Sequence, residues 1–127
     1  MQNSALEGRV GLALFEYDFA KHGGAVGTIS VGPKLLPPAA LVMDGFIRVI
    51  TDFVGATATL QIKAVGTDDV LASTAVGSLT GLLDVVPDGT AANMILTTAY
   101  TQLTFTVGTA AFTAGKMVVG LRYAITA

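Results

Sequence analysis

A chain of 127 residues has the usual size of a single domain, and its lack of cysteine excludes disulfides, thiolate metal sites and a cysteine nucleophile. Charged residues are only 13% of the chain and hydrophobic residues 52%, which favours burial of much of the surface in an assembly. The net charge of −2, with no basic patch, argues against a nucleic-acid-binding protein, which must neutralise phosphates.

The chain begins with a polar stretch at residues 1–8, ahead of a single domain expected over residues 9–127. The stretch has neither a basic region nor an apolar one, so it does not have the pattern of a secretory signal. We expect it to be an extended arm, which would lie along a neighbouring molecule in an assembly.

The first predicted strand, Arg9–Ala20, alternates in the manner of a half-buried strand. Its expected core face carries Ala13, Phe15, Tyr17 and Phe19, and its other face carries Leu14, Glu16 and Asp18. Residues 21–24 include two consecutive glycines and are predicted to turn the chain into a second strand, Ala25–Val31.

Residues 34–43 contain Pro37 and Pro38, which lack amide donors, so an extended crossover or edge segment is predicted there. Asp44-Gly45 is a turn signal, after which a strand is expected at Phe46–Val54. The core face of that strand is predicted to carry Ile47, Val49, Thr51 and Phe53.

The clearest strand pattern is Thr57–Val65, with Ala58, Leu60, Ile62 and Ala64 on its core face. It is predicted to form a hairpin with Val70–Val76.

Residues 91–99 are compatible with a strand through Met94–Thr98 or with one irregular turn. The other predicted strands are Leu82–Val86, which ends at the Pro87-Asp88-Gly89 turn, Gln102–Val107 with Leu103, Phe105 and Val107 inward, and Lys116–Thr126 with Met117, Val119, Leu121, Tyr123 and Ile125 inward.

These patterns give about eight to ten short strands and no helical period, which predicts an all-β fold. Short strands separated by Gly and Pro turns are typical of an antiparallel β-sandwich, here of jelly-roll-like type. The longest charge-free run, residues 89–115, contains too many threonines to be a membrane span, so no membrane partner is expected.

The few residues that could carry chemistry lack the partners that chemistry requires. His22 is the only histidine, so it cannot build a typical zinc site, and no Ser or Asp spacing suggests a triad around it. We interpret it as a turn histidine in solvent or at an interface. Glu16 and Asp18 share a strand face, but no tryptophan or aromatic platform accompanies them, and we expect solvent-facing charges that pair with Lys or Arg.

Asp68-Asp69 and Asp88-Gly89 do not supply the ligand spacing of a calcium loop, and turn capping is expected at both. Residues 23–27 resemble a phosphate cradle only faintly, because no Lys-Ser or Lys-Thr follows them. Arg48 and Arg122 lie within apolar strands and are expected either on the outer face or paired with a carboxylate across a subunit interface. We therefore predict no catalytic, cofactor-binding or metal-binding residues, no cofactor and no enzymatic activity.

Three stretches, Tyr17–Ile29, Gly45–Ile47 and Ala114–Tyr123, together resemble a group of small virion proteins of tailed phages. The resemblance covers nearly the whole chain and rests on structural motifs, so it carries over no functional residue. It implies a β-sandwich on the outer surface of the phage head, a capsid decoration or cement subunit. It also implies that the partner is the major capsid protein and that the subunit forms a homotrimer.

Two other functions fit the same sequence. One is a head-fibre base, tail or baseplate component that binds a receptor or glycan. The other is a soluble carbohydrate-binding sandwich, against which stand the absence of tryptophan and the presence of only three tyrosines, because sugar recognition commonly uses exposed aromatic faces.

Overall fold

The computed structural model describes residues 9–31, 35–66, 69–85 and 94–126. The arm at residues 1–8, Asp68 and the Pro87-Asp88-Gly89 turn lie outside the described residues. The described elements, in chain order, are β1 (Val10–Asp18), α1 (Phe19–His22), β2 (Gly27–Ser30), β3 (Ala40–Val54), β4 (Thr59–Lys63), β5 (Leu71–Ala75), a 3-10 turn (Val76–Ser78), β6 (Leu82–Val85), β7 (Thr104–Gly108) and β8 (Ala114–Ile125).

The strands pair as if one long hairpin had been rolled up. β1 pairs with β8, β2 with β7, β3 with β6 and β4 with β5, and every pair is antiparallel. Additional β3–β8 and β4–β7 pairs complete a first sheet in the order β1-β8-β3-β6 and a second sheet in the order β2-β7-β4-β5. This topology is that of a jelly roll, so the predicted all-β sandwich is confirmed.

The core lies between the two sheets and contains a cluster of four aromatic rings. The ring of Tyr17 lies 5.8 Å from that of Phe53, 5.3 Å from that of Phe105 and 6.3 Å from that of Phe112, measured between centroids. The Tyr17 hydroxyl donates to the carbonyl of Gly23 at 2.5 Å. Burial raises the pKa of Tyr17 to about 12, because the charged phenolate is disfavoured away from water.

Most of the predicted core residues are confirmed, because alternation along a strand fixes which side chains face inward. The buried ones are Ala13, Phe15, Tyr17, Ile47, Phe53, Ala58, Leu60, Ile62, Ala64, Leu103, Phe105, Val107, Met117, Val119 and Leu121. Phe19, Val49 and Tyr123 are partly buried against this core. Thr51 is exposed, contrary to the prediction, because the pairing of β3 with β8 shifts register between Val49 and Thr51.

The first strand ends two residues earlier than predicted, because Phe19–His22 forms the one-turn helix α1. The Asp18 carboxylate accepts a hydrogen bond from the N–H of Ala20 at 2.9 Å and so caps the start of the helix. Gly23, with φ of 77°, ends the turn and donates its N–H to the carbonyl of Phe19. Two residues of the predicted turn at residues 21–24, Lys21 and His22, therefore belong to the helix.

The predicted turn at Asp44-Gly45 is wrong, because β3 runs without a break from Ala40 to Val54. Met43 is an extra residue between the Val42–Tyr123 and Asp44–Arg122 pairs, and such a bulge inverts the alternation that follows it. Gly45 consequently faces the core, where a Cβ atom would collide with the carbonyl oxygen of Gly120. The glycine permits close approach of two strands and does not form a turn.

The segment after residue 93 is irregular, which was one of the two alternatives for it. Isolated bridges join Leu36 to Thr101 and Leu41 to Leu96. The buried hydroxyl of Thr97 donates to the carbonyl of Pro37 at 2.6 Å and accepts from the N–H of Ala40 at 2.9 Å. Thr97 thus fixes the start of β3.

Thr97→Val is expected to lower the free energy of unfolding by about 1–3 kcal/mol, because two main-chain groups lose their hydroxyl partner in a buried site. Denaturant unfolding measures the change. The control, Thr106→Val on the outward side of β7, is expected to change stability by no more than about 0.5 kcal/mol. Equal stabilities of Thr97→Val and the unsubstituted protein would contradict the assigned role.

Candidate contact surface on the first sheet

The outward side of the second sheet is polar. Residues directly opposite each other in an antiparallel pair share a face, so the register gives the composition of each row across the sheet. One row holds Thr28, Thr106 and Gln61, and the next holds Ser30, Thr104 and Lys63. This threonine-rich side has the composition of a surface in contact with water.

The outward side of the first sheet carries exposed apolar side chains between its charged ones. We call the surface formed by Leu12, Leu14, Phe46, Leu82 and Val118 the apolar face. Its rows follow from the register, which places Leu14, Gly120, Phe46 and Asp84 side by side and, in the next row, Glu16, Val118, Arg48 and Leu82. Leu12 is 54% exposed, Leu14 50% and Leu82 66%. Clustered exposure of this kind on one sheet marks an interaction surface.

Gly120 lies at the centre of the apolar face and makes the surface flat there. A Cβ atom at this position would overlap the ring of Phe46, which lies across the backbone of β8. The ring therefore covers the main chain of its neighbour strand. A broad partner surface can approach such a face closely.

An ion pair lies at one end of the apolar face. The guanidinium of Arg122 donates to the two carboxylate oxygens of Asp44 at 2.9 Å and 2.5 Å. The hydrogen bond from Arg122 is the main reason that the pKa of Asp44 lies below its usual value. A shallow groove of about 450 Å³ runs beside this pair and is lined by Leu12, Asp44, Gly45, Phe46, Asp84, Val85 and Arg122.

Two further charges on this surface, those of Arg48 and Asp84, have no ion-pair partner among the described residues. Arg48 is exposed on the outward side of β3, which is one of the two positions predicted for it. Arg122 is exposed on the outward side of β8, and its carboxylate partner, Asp44, belongs to the same chain. Opposite charges at separate places on an apolar face allow a partner to be selected by orientation.

Glu16 pairs with lysines, as predicted. Its carboxylate lies 3.1 Å from the ammonium of Lys21 and 3.6 Å from that of Lys116. The hydrogen bond from Lys21 contributes most to lowering the pKa of Glu16. Because the folded pKa is depressed, the stabilisation is present above the unfolded pKa and is lost as the pH falls through the folded one.

Lys21→Ala is expected to raise the pKa of Glu16 towards its ordinary value of 4.5, because the largest lowering contribution is removed. Lys116→Ala, the matched control, should raise the pKa less. Carbon-detected NMR titration of the Glu16 carboxyl group measures both changes. A larger rise in Lys116→Ala than in Lys21→Ala would contradict this ranking.

The other acidic and histidine candidates have local structural roles. The Nδ1 atom of His22 accepts a hydrogen bond from the N–H of Asp18 at 3.1 Å, and its ring lies 5.9 Å from that of Tyr17. Asp69 accepts from the N–H groups of three successive residues, 64–66, at 2.6–2.9 Å, so the predicted turn capping is confirmed for Asp69.

Gly24 packs tightly in the structure. A Cβ atom at Gly24 would lie 2.7 Å from Phe112, so this glycine serves packing within the stretch that faintly resembles a phosphate cradle.

Within the described ranges no three His, Cys, Asp or Glu residues group as a metal site would require. No helix in the described part of the chain is long and apolar enough to cross a membrane.

Leu12 and Leu82 are surface residues that were not identified from the sequence. The available signal was the unbroken apolar run Val10–Phe15, because apolar residues on both faces of a strand indicate that both faces are covered. The core covers one face of β1, and on the other face about half of the surface of Leu12 and of Leu14 stays exposed.

No protein-family model matches the chain, and no curated protein matches it. Its fold is similar to chains in three solved phage structures. These are the acid-stable capsid of the Helicobacter pylori phage KHP30 (14% identity, TM-score 0.65, 94% of this chain and 90% of that one), the capsid asymmetric unit of cyanophage Pam1 (16%, 0.64, 99% and 91%) and the capsid of Ralstonia phage GP4 (17%, 0.67, 99% and 90%). The similarity spans almost the whole of each matched chain, so each of those chains is close to this one in length.

Proposed function

We propose that this chain is a non-enzymatic structural protein of a tailed-phage particle, a decoration subunit that binds the outer surface of the head shell. The observation that carries the proposal is the apolar face, on a fold similar to chains of three phage capsids along nearly its whole length. The resemblance of Tyr17–Ile29 and Ala114–Tyr123 to small virion proteins supports the same particle.

The proposed partner is the major capsid protein, and the proposed mode of attachment is burial of the apolar face against the shell. Leu14, Phe46 and Val118 supply apolar contact area near the middle of this face, whereas Arg48 and Asp84 supply charges that fix the orientation. The threonine rows of the second sheet then face water.

Because many copies bind the same particle, a modest interface in each copy is sufficient to stabilise the shell. A homotrimer, which the family resemblance implies, would engage three shell sites at once, and linked contacts strengthen one another without any new type of interaction. Repetition of the complex around the symmetry axes of the shell would stabilise the particle against expansion and heat.

The proposal is tested by removing the protein from purified particles and then adding it back. We expect a copy number proportional to that of the shell protein, a lower temperature of particle disruption in particles without it, and recovery on re-addition. A few copies per particle would instead favour the head-fibre, tail or baseplate role. Unchanged particle stability after removal would contradict a cement function.

A further inference from the structure

The described residues form two sheets with four edge strands, and among these strands only β1 is long, regular and apolar over most of its length. β2 and β6 are edges of four residues each, and β5 is an edge strand of five residues with a shift in its register. β1 has nine residues, pairs with β8 without a register shift, and carries no charge or proline from Val10 to Phe15. Proteins normally shorten, bend or charge an edge to prevent pairing with other chains, and the stretch Val10–Phe15 of β1 has none of these protections.

The free hydrogen-bonding groups of this edge are identified by the ladder to β8. Ile125 donates its N–H to the carbonyl of Arg9 at 2.8 Å, so the odd-numbered residues of β1 bond to β8. The even-numbered residues Val10, Leu12, Leu14 and Glu16 therefore direct both their N–H and C=O groups away from the sheet. Asp18, next in this series, has its N–H capped by His22, which ends the open edge.

We propose that the β1 edge pairs antiparallel with the β1 edge of a second copy of this chain, about a two-fold axis centred on Leu12. In this register Leu12 lies opposite Leu12 of the second copy, and Val10 lies opposite Leu14. All three are even-numbered, so each opposed pair exchanges both N–H···O bonds. Apolar side chains meet apolar side chains in every one of these rows, which is the stabilising arrangement across strands.

The charges favour this register over those displaced towards Glu16. Centring the axis on Leu14 would place Glu16 opposite Leu12, and centring it on Ala13 would place Glu16 opposite Val10. Centring on Leu12 leaves Glu16 beyond the apolar rows, where it keeps its pairs with Lys21 and Lys116. No carboxylate then faces an apolar residue or another carboxylate within the paired strands.

The two first sheets would join into one continuous eight-stranded sheet, and the two apolar faces would become one surface. Pairing about a two-fold axis uses only the β1 edge, so it is compatible with a trimer built through other surfaces. The inference goes beyond the proposed function and does not depend on it. Assembly of the purified protein and its attachment to a particle are measured separately.

The first test is a disulfide at the axis. Two Leu12 residues in a hydrogen-bonded antiparallel pair have Cα atoms about 5.5 Å apart, which suits a disulfide, and the chain has no cysteine of its own. We expect Leu12→Cys to form a covalent dimer on mild oxidation. Leu14→Cys is the matched control, because two Leu14 residues would be about 13 Å apart along the strands. Equal cross-linking of the two variants, or none in Leu12→Cys, would overturn the proposal.

The second test removes the pairing without harming the fold. Leu12 is 54% exposed, so Leu12→Lys should fold and should halve the assembled mass measured by light scattering. Leu82→Lys, at the opposite edge of the same sheet, should leave the mass unchanged. A mass lowered by Leu82→Lys and kept by Leu12→Lys would contradict pairing through β1.

Amide hydrogen exchange tests the pairing of the β1 edges at single residues, in the unsubstituted protein and in Leu12→Lys. The amides of Leu12 and Leu14 should be protected in the unsubstituted protein and lose protection in Leu12→Lys, whereas those of Ala13 and Phe15 stay protected in both. Fast exchange of Leu12 and Leu14 in the unsubstituted protein would show that the edge is free and would refute the proposal.

Discussion

Gly115→Ala is expected to lower the free energy of unfolding by about 2–5 kcal/mol, through backbone strain and overpacking. Gly115 has a φ of 145°, a conformation that residues with a Cβ atom rarely adopt. A Cβ atom at this position would also overlap the ring of Phe53, which packs against Tyr17 and Phe112. Strain at this one position is therefore transmitted to the aromatic cluster that joins the sheets.

Gly77→Ala is the matched control. Gly77 lies in the 3-10 turn Val76–Ser78, where nothing lies within 4 Å of an added Cβ atom and φ is not positive. We expect its stability to change by no more than about 1 kcal/mol. Chemical denaturation of the two variants, with tyrosine fluorescence as the probe, measures both effects. Similar losses in the two variants would show that the Phe53 contact does not govern the effect.

Val118→Asp is expected to weaken attachment to the shell by about 2 kcal/mol, or roughly 30-fold, because it places a charge at the centre of the proposed contact. Val118 is half-buried on the central strand β8, between Glu16 and Arg48 in the register. Co-sedimentation with particles lacking the protein measures the affinity.

Thr106→Asp is the control for this substitution. Thr106 occupies the matching position on the second sheet, half-buried on the outward side of the central strand β7. The substitution Thr106→Asp introduces the same charge and should leave attachment to the shell unchanged. Loss of attachment in Thr106→Asp, with retention in Val118→Asp, would reverse the assignment of the two sheet faces.

Much of the fold could be predicted from the sequence because alternation along a strand is a local signal. The inward residues of β4, Leu60 and Ile62, could be identified in this way, and so could Phe15 and Tyr17 of β1. The bulge at Met43 could not, because it depends on how β3 pairs with β8, a strand far away in the chain. Gly45 was misinterpreted for the same reason, since a glycine permits both a turn and close strand approach.

The contact surface was less predictable than the core. Glu16 and Lys21 are close in the chain, so their pairing could be anticipated, whereas Asp44 and Arg122 are 78 residues apart and meet only through the sheet. Leu12 and Leu82 lie on opposite edge strands of the first sheet and join one surface only when the strand order is known. Low overall charge favours burial of surface in an assembly, and the topology identifies the candidate surface.

An image of the phage particle in which this chain is located tests the proposed function most directly. We predict density for the chain at all equivalent positions on the outside of the head, with the apolar face of the first sheet against the shell and the threonine rows of the second sheet towards solvent. Density confined to the tail or to a single vertex, or a second sheet turned towards the shell, would contradict the proposal.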